Sequence, residues 1–335
     1  MQLKNFFYEL PEQLIAQEPL VERAQARLMV VHRRTKKITH ARFGDIGDFL
    51  PARCILVVNN SKVIPARLLG TKERSGGKVE IFLLRKRNHG LSFDVLMKPM
   101  RKIKQGDRIK IDGSKVLAEV TDREARIVKF SGCTARDLAD AGHMPLPPYI
   151  KRPDQPVDRR YYQTVYARPA GSVAAPTAGL HFTKPLIDNL KKAGHDVVAL
   201  TLHVNYATFK PVEEEDITRH KMHREEYVIA PRVFSTVTKA RQEGRKIVAV
   251  GTTSCRVIEA VAHGSALKGE TDIFIYPGFV FKGTDVLITN FHFPYSSLLM
   301  LVYAFGSTEL MRKAYQEAIR QKYRFYSYGD AMIIV

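Results

Sequence analysis

The stretch from Ala66 to Phe130 constrains the fold of this 335-residue chain more than any other. It breaks into short β-favouring runs, "GGKVEIFLLRKR", "LSFDVLMKP", "DRIKID", "KVLAEVTD" and "ARIVKF", punctuated by Gly, Asp and Asn at close spacing. Such a series predicts a small antiparallel barrel or sandwich. Beyond the Pro-rich connector "HMPLPPYIKRPD" (His143 to Asp154) the pattern lengthens. "HDVVALTLHV" and "RKIVAVGTTS" read as core strands, and "PLIDNLKKAG" and "CRVIEAVAHG" as helices, the alternation of α/β layering. Ahead of the short strands, "PARCILVV" reads as a buried strand running into the polar residues Asn59, Asn60 and Ser61. The expected fold is therefore α/β: a larger mixed α/β domain from residues 1–65 and 151–335, with a smaller antiparallel β-barrel, residues 66–150, inserted in it.

Charge narrows the class of partner. Lys and Arg number 53 against 34 Asp and Glu, a net +19, which attracts a polyanion over a long range. Nucleic acid is the leading expectation and an anionic membrane the lesser one. The most apolar stretch, "LLMLVYAF", is far shorter than the roughly 20 residues a spanning helix needs, and the N-terminus has no apolar run of the signal-peptide kind. A cytoplasmic protein without a membrane partner is expected. Cys54, Cys133 and Cys255 are odd in number and far apart, which favours three reduced thiols over a disulfide framework or a cysteine zinc site. Within the strand-rich region, Arg85 to Lys110 carries nine Lys or Arg against two Asp. This is either a solvated face or a phosphate-facing edge, and the charge of the whole chain favours the edge.

Several constellations carry chemical potential. In "VAAPTAGLHF", Pro176 fixes one backbone angle and Gly179 releases another, so the segment is built for a particular loop shape that aims His181. A packed histidine would fit the same pattern. "KIVAVGTTSCRVIEA" reads as strand, Gly- and hydroxyl-rich turn, then helix. Free N–H groups there, with Thr252, Thr253 and Ser254, suit a carboxylate or phosphate, although simple N-capping needs the same residues. His220 and His223 lie three apart and could share a helix face with Glu226, but H-x-x-H without a further ligand motif is weak ground for a metal, and none is expected.

Taken together, "NNSKVIPARLLG", "YQTVYA", "GSVAAPTAGLHFT", "HKMHREEY", "VGTTSCR", "YPGFVF", "LITNFHFP" and "YRFYSYGDAM" resemble the S-adenosylmethionine:tRNA ribosyltransferase-isomerase family of queuosine biosynthesis, over essentially the whole chain. The resemblance implies transfer and isomerisation of the ribosyl moiety of S-adenosylmethionine onto aminomethyl-deazaguanine at the wobble position of tRNA. The products are epoxyqueuosine-tRNA, adenine and methionine. It also implies a larger α/β domain with an inserted β-barrel. Two departures stand out: "LHVNYATF" has Asn205 and Ala207 where the family commonly has glycine, and Tyr295 in "PYSSL" replaces a basic residue.

On this resemblance the PTAGLHF loop, with Thr177 and Gly179, is expected to wall the S-adenosylmethionine pocket. The sulfonium acidifies the adjacent 5′ C–H, adenine leaves better if protonated, and the amino-acid end needs its carboxylate held. Neutral histidine suits the first two tasks, so His181 and His292 are the candidate base and acid, unassigned between them. Gly251, Thr252, Thr253, Ser254 and Arg256 suit a carboxylate or phosphate, Asn59 and Asn60 ribose or base edges, and Arg67 an anion. Lys98, Arg101, Lys102 and Lys104 in "KPMRKIK" are the expected tRNA contacts, with Lys151, Arg152, Arg159 and Arg160 as an alternative track. S-adenosylmethionine is a consumed co-substrate, no cofactor is expected, and the protein is expected to be a monomer. Two other readings stay open: a tRNA-binding protein without catalysis, and a metal-dependent hydrolase built on His220 and His223.

Overall fold

The computed structural model describes residues 1–87 and 90–335, the side chains of Ala207 and Phe209 excepted, so the Ala207 side chain lies outside the described set. In chain order the first strands are β1 (Arg27–Val31), β2 (Ile38–Arg42), β3 (Ile55–Asn59) and β4 (Lys62–Val63). Six more follow: β5 (Arg67–Lys72), β6 (Lys78–Lys86), β7 (Ser92–Lys98), β8 (Arg108–Ile111), β9 (Leu117–Asp122) and β10 (Ile127–Ser131). After helices α1 (Ala135–Ala141) and α2 (Asp158–Tyr161) come β11 (Ala170–Ser172), α3 (Lys184–Lys192), β12 (Asp196–Leu202) and β13 (Glu225–Val228). The chain ends with α4 (Pro231–Gln242), β14 (Ile247–Val250), α5 (Thr252–Ala262), β15 (Lys268–Thr271), β16 (Val286–Asn290), α6 (Ser297–Gly306), α7 (Thr308–Arg320) and β17 (Ala331–Ile334).

Strands β5 to β10 close into a barrel in the order β10-β7-β6-β5-β8-β9, every neighbouring pair antiparallel. Alternation explains the closure. Leu68, Ile81, Val95, Ile109, Ala118 and Val128 point inward and are buried, while Lys and Arg between them face solvent. Chain on both sides of the barrel builds one nine-stranded sheet, β15-β13-β12-β3-β14-β16-β17-β1-β2. Its centre, β12-β3-β14-β16, is parallel, and these strands are near-continuous apolar runs because both faces are covered. One face packs against α5, α6 and α7 through Ile55, Val57, Ala249 and Leu287, the other against α3 through Leu56, Val58, Val248 and Ile288. The fold is thus α/β with an inserted antiparallel barrel, the class that the strand spacing and the resemblance both imply.

The barrel leaves and rejoins the larger unit at one place. Arg67 and His143 exchange backbone hydrogen bonds of 3.3 and 2.7 Å, and β4 pairs in parallel with β11 beside them. Among the described residues no helix is long and apolar enough to cross a membrane; "LLMLVYAF" lies in α6, whose interior is buried.

The "HKMH" segment is not helical. Ile217–Arg219 form a single 3₁₀ turn, and the following residues run without helix into β13. His220 pairs with Glu214 at 2.8 Å and Glu226 with Arg85 at 3.3 Å, so the two histidines and Glu226 share no helix face. Among the described residues no group of three or more His, Cys, Asp or Glu is arranged to hold a metal ion.

Candidate active site

Three loops meet in a cleft at the carboxyl edge of the parallel strands, the side on which open α/β sheets receive their ligands. The first is the PTAGLHF segment. Pro176 (φ −73°) leads into a 3₁₀ turn over Thr177–His181, closed by Gly179 N–H donating to Pro176 C=O at 2.9 Å. Ala178 and Phe182 anchor the turn in the core beneath the sheet. Gly179 is needed for room: a Cβ there would come within 2.1 Å of the Tyr166 hydroxyl. The segment presents Ala174, Ala175, Pro176, Thr177 and Ala178 to the cleft.

The second loop follows β14. Gly251 turns the chain with φ +89°, a conformation open chiefly to glycine, and α5 begins at once with Thr252 and Thr253 on the cleft wall. The buried Thr253 and Ser254 hydroxyls have no partner among the described residues. The third loop follows β16, where Thr289, Asn290, Phe291, His292 and Phe293 line the opposite side. Aromatic side chains complete the enclosure: Tyr149 packs on Tyr326 with ring centroids 4.6 Å apart and hydrogen-bonds Ser327 Oγ at 2.6 Å.

The two histidines differ in position. His292 lines the cleft, its Nε2 2.7 Å from Thr289 Oγ1. Its backbone is clamped, since its N–H meets the Tyr315 hydroxyl at 3.0 Å and its C=O accepts from the Tyr8 hydroxyl. His181 does not line the cleft. It sits behind Asn290 on a smaller hollow with Leu180 and Tyr328, its ring against Phe43 at 4.9 Å. Burial pushes the pKa of each down to about 3, with the Arg23 and Arg324 charges adding to the effect at His181. Both imidazoles are neutral at physiological pH.

Asn290 links the loops. Its Nδ2 donates to Tyr326 C=O at 3.1 Å and lies 3.2 Å from His181 Nε2. The carbonyl fixes which end of the amide is the donor, so His181 Nε2 must accept and its proton is on Nδ1. Asn290 Oδ1 is left buried without a partner among the described residues, on a residue that lines the cleft.

Of the expected substrate residues, Thr177, Gly251, Thr252, Thr253 and His292 line the cleft, and Gly179, His181 and Ser254 lie behind its walls. Arg256 faces an adjoining cavity. Asn59, Asn60 and Arg67 are elsewhere. Asn59 is consumed by the fold, its Nδ2 donating to Leu202 C=O and its Oδ1 accepting from Leu202 and Ser61 N–H. Asn60 Oδ1 accepts from Thr201 Oγ1 at 2.7 Å, and Arg67 pairs with Glu80 at 3.2 Å in the barrel. Asn290, Thr289, Tyr149 and Tyr326 were not among the expected residues. Asn290 and Thr289 stand in the same "TNFHFP" motif as His292, and their placement at a strand's carboxyl end was the available signal. Tyr149 belongs to a stretch that reads only as a connector. Tyr295 stacks on Phe7, with ring centroids 5.6 Å apart. Lys98, Arg101, Lys102 and Lys104 are exposed at the end of β7 and the turn after it, none of them in an ion pair among the described residues.

A parallel-centred sheet with a crevice at its carboxyl edge, two buried neutral histidines and a basic barrel beside it define an α/β protein with a cleft where open sheets of this kind receive their ligands. Comparison with known proteins makes this specific. Residues 3–334 match the family described as queuosine biosynthesis protein. The chain is 47% identical, over the full length of both, to the S-adenosylmethionine:tRNA ribosyltransferase-isomerase of Caldanaerobacter subterraneus subsp. tengcongensis, and 46% identical to that of Staphylococcus haemolyticus, again over all of both chains. The crystal structure of S-adenosylmethionine tRNA ribosyltransferase from Thermotoga maritima is 37% identical and matches with a TM-score of 0.58, covering 99% of this chain and all of that one. The chain belongs to the S-adenosylmethionine:tRNA ribosyltransferase-isomerase family.

Proposed function

We propose that the cleft is where this chain transfers and isomerises the ribosyl moiety of S-adenosylmethionine onto aminomethyl-deazaguanine in tRNA, giving epoxyqueuosine-tRNA, adenine and methionine. Family membership over the whole chain supports the reaction. The observation that carries the assignment to this cleft is the convergence of the loops after β14 and β16 with the PTAGLHF turn, segments more than 100 residues apart at their extremes.

The chemistry asks for a neutral base near the ribose 5′ carbon, whose protons the sulfonium acidifies, and for donors that stabilise departing adenine. His292 is the imidazole that faces the cleft, and we assign it the proton transfer. Thr289 orients its ring. His181, one layer back, acts as a positioning residue: by accepting from Asn290 Nδ2 it helps hold Asn290 Oδ1 toward the cleft as an acceptor for an N–H or O–H of the nucleoside. Tyr149, Tyr326 and Phe293 supply flat apolar surface for adenine. Thr252, Thr253 and the start of α5 provide donors on the facing wall. The exposed Lys98, Arg101, Lys102 and Lys104 contact tRNA phosphates. S-adenosylmethionine is consumed, no resident cofactor takes part, and the enzyme works as a cytoplasmic monomer without a membrane partner.

Adenine release tests the reading. It should require both S-adenosylmethionine and tRNA carrying aminomethyl-deazaguanine, and His292→Ala should lower turnover roughly 10²- to 10⁴-fold with tRNA affinity retained. Adenine release from S-adenosylmethionine without the modified tRNA, or normal turnover by His292→Ala, would refute it.

A further inference from the structure

Past Thr208 and Leu298, which line both spaces, the cleft adjoins a second cavity of about 230 Å³. Arg256, on the second turn of α5, is 5% exposed and forms part of its wall. Its Nη1 pairs with Glu225 and its Nε donates to Ile273 C=O at 3.3 Å, while Nη2 is buried with no partner among the described residues. Glu225 is already committed. One oxygen takes Arg256, and the other accepts from Asn205 N–H at 3.0 Å and Thr208 Oγ1 at 3.3 Å. The carboxylate therefore aims the guanidinium and leaves one edge of it free. A buried charged donor without an acceptor is costly, so that edge calls for an anionic ligand.

The remaining lining identifies the anion's chemistry. Lys210, Lys221 and Arg256 face Glu213, Glu214 and Glu225, with His220 on Glu214 and His223 also in the wall. A phosphate dianion would meet three carboxylates there. A zwitterion meets a cation for its carboxylate and carboxylates for its ammonium group. We propose that this cavity holds the α-amino-acid end of S-adenosylmethionine, its carboxylate on Arg256 Nη2 and its ammonium toward Glu213, an inference that rests on the cleft being the nucleoside site. The sulfonium then lies near the junction at Thr208 and Leu298, and departing methionine has its own exit apart from adenine.

Calorimetric titration of the full-length protein with S-adenosylmethionine, decarboxylated S-adenosylmethionine and 5′-methylthioadenosine tests this. A charge-assisted hydrogen bond to a buried guanidinium corresponds to about 10- to 100-fold in affinity. Wild type should bind the decarboxylated compound weaker by that factor. Arg256→Lys retains a cation opposite Glu225, so the fold is expected to survive. It should lose the same factor for S-adenosylmethionine while binding the decarboxylated compound and methylthioadenosine within about twofold of wild type, well under the tenfold step. If the variant does not fold, the wild-type comparison of the two sulfonium ligands decides alone. Equal wild-type affinity for those two, or an Arg256→Lys loss shared by all three ligands, would overturn the subsite. A loss confined to tRNA binding would also overturn it and give the cavity to the modified base. If wild type bound none of the three ligands, the reading of the cleft itself would fall.

Discussion

Acidification should destabilise this protein through His181 and His292 well before its carboxylates protonate. Both imidazoles are buried, and both are held neutral down to about pH 3, whereas in the unfolded chain they titrate near 6.5. Below 6.5 the unfolded state therefore binds protons that the native state refuses, and native stability falls as pH falls. The contribution is complete above about pH 6.5 and is lost progressively toward pH 3. Each proton taken up only by the unfolded state costs about 1.4 kcal/mol per pH unit, so between pH 7 and pH 5 each histidine removes about 2 kcal/mol and the pair about 4. That is a large share of the ~5–15 kcal/mol expected of a folded domain. Glu214, Asp158 and Asp216, whose hydrogen bonds to cations and neighbouring donors hold them below the usual carboxylate range, begin to matter only under this window. Urea unfolding at pH 7, 6 and 5, followed by circular dichroism, measures the slope. His292→Gln should lower it by one histidine's share, since glutamine does not titrate, while His195 and His203, which burial also pushes down, keep their own part of the slope. A flat stability from pH 7 to 5, or an unchanged slope in a double His181→Asn, His292→Gln variant, would refute the argument that these rings are buried neutral.

Other expectations follow from packing and charge. Gly179→Ala must displace the Tyr166 hydroxyl, and overpacking of this kind costs about 1–3 kcal/mol, readable as a lower urea midpoint. Replacing Lys98 and Arg101 by Ala should flatten the log–log salt dependence of tRNA binding by about 0.7–0.9 for each phosphate no longer neutralised, with turnover recovering at saturating tRNA; an unchanged slope would move the track to Lys151, Arg159 and Arg160, since Arg152, expected on the same track, is held by the buried Asp158. Among the thiols, Cys133 should react first with a disulfide reagent in the native protein. Cys54 is buried and pushed up to about 12, and Cys255 is buried with its thiol pushed up as well, so equal reactivity of all three would contradict their burial.

The fold was legible where a period is imposed on the chain by burial. Two-residue alternation in β5 to β10 betrays a barrel with one wet face, and unbroken apolar runs such as "KIVAV" betray strands covered on both sides. The site was legible where special backbone residues mark a loop, as at Pro176, Gly179 and Gly251. It was not legible where one residue type serves two purposes. Asn59 ends a strand in a way that suggests a ligand, yet its amide is spent joining β3 to the end of β12, while Asn290 at the end of β16 has a side-chain oxygen without a partner among the described residues. The two look alike in sequence, and only the partners reached through tertiary contacts separate them. His181 and His292 likewise differ by one layer of packing. The "HKMH" spacing invites a helix, but no apolar stripe there gives a helix a face to bury.

The pairing of β1 with β17 has a consequence for how the protein is made. Leu28 lies beside Ala331, so one flank of the large sheet joins segments about 300 residues apart in the chain. At the usual pace of roughly 5–20 residues per second, β1 waits on the order of 15 to 60 s on the ribosome for its partner. The six barrel strands lie within Arg67 to Ser131, and the last side chain of their core cluster is Val173, so the barrel can close long before that. The nascent chain thus carries a finished barrel while the apolar faces of β1 and β3 are still uncovered, which makes the N-terminal strands the natural clients of a chaperone during synthesis.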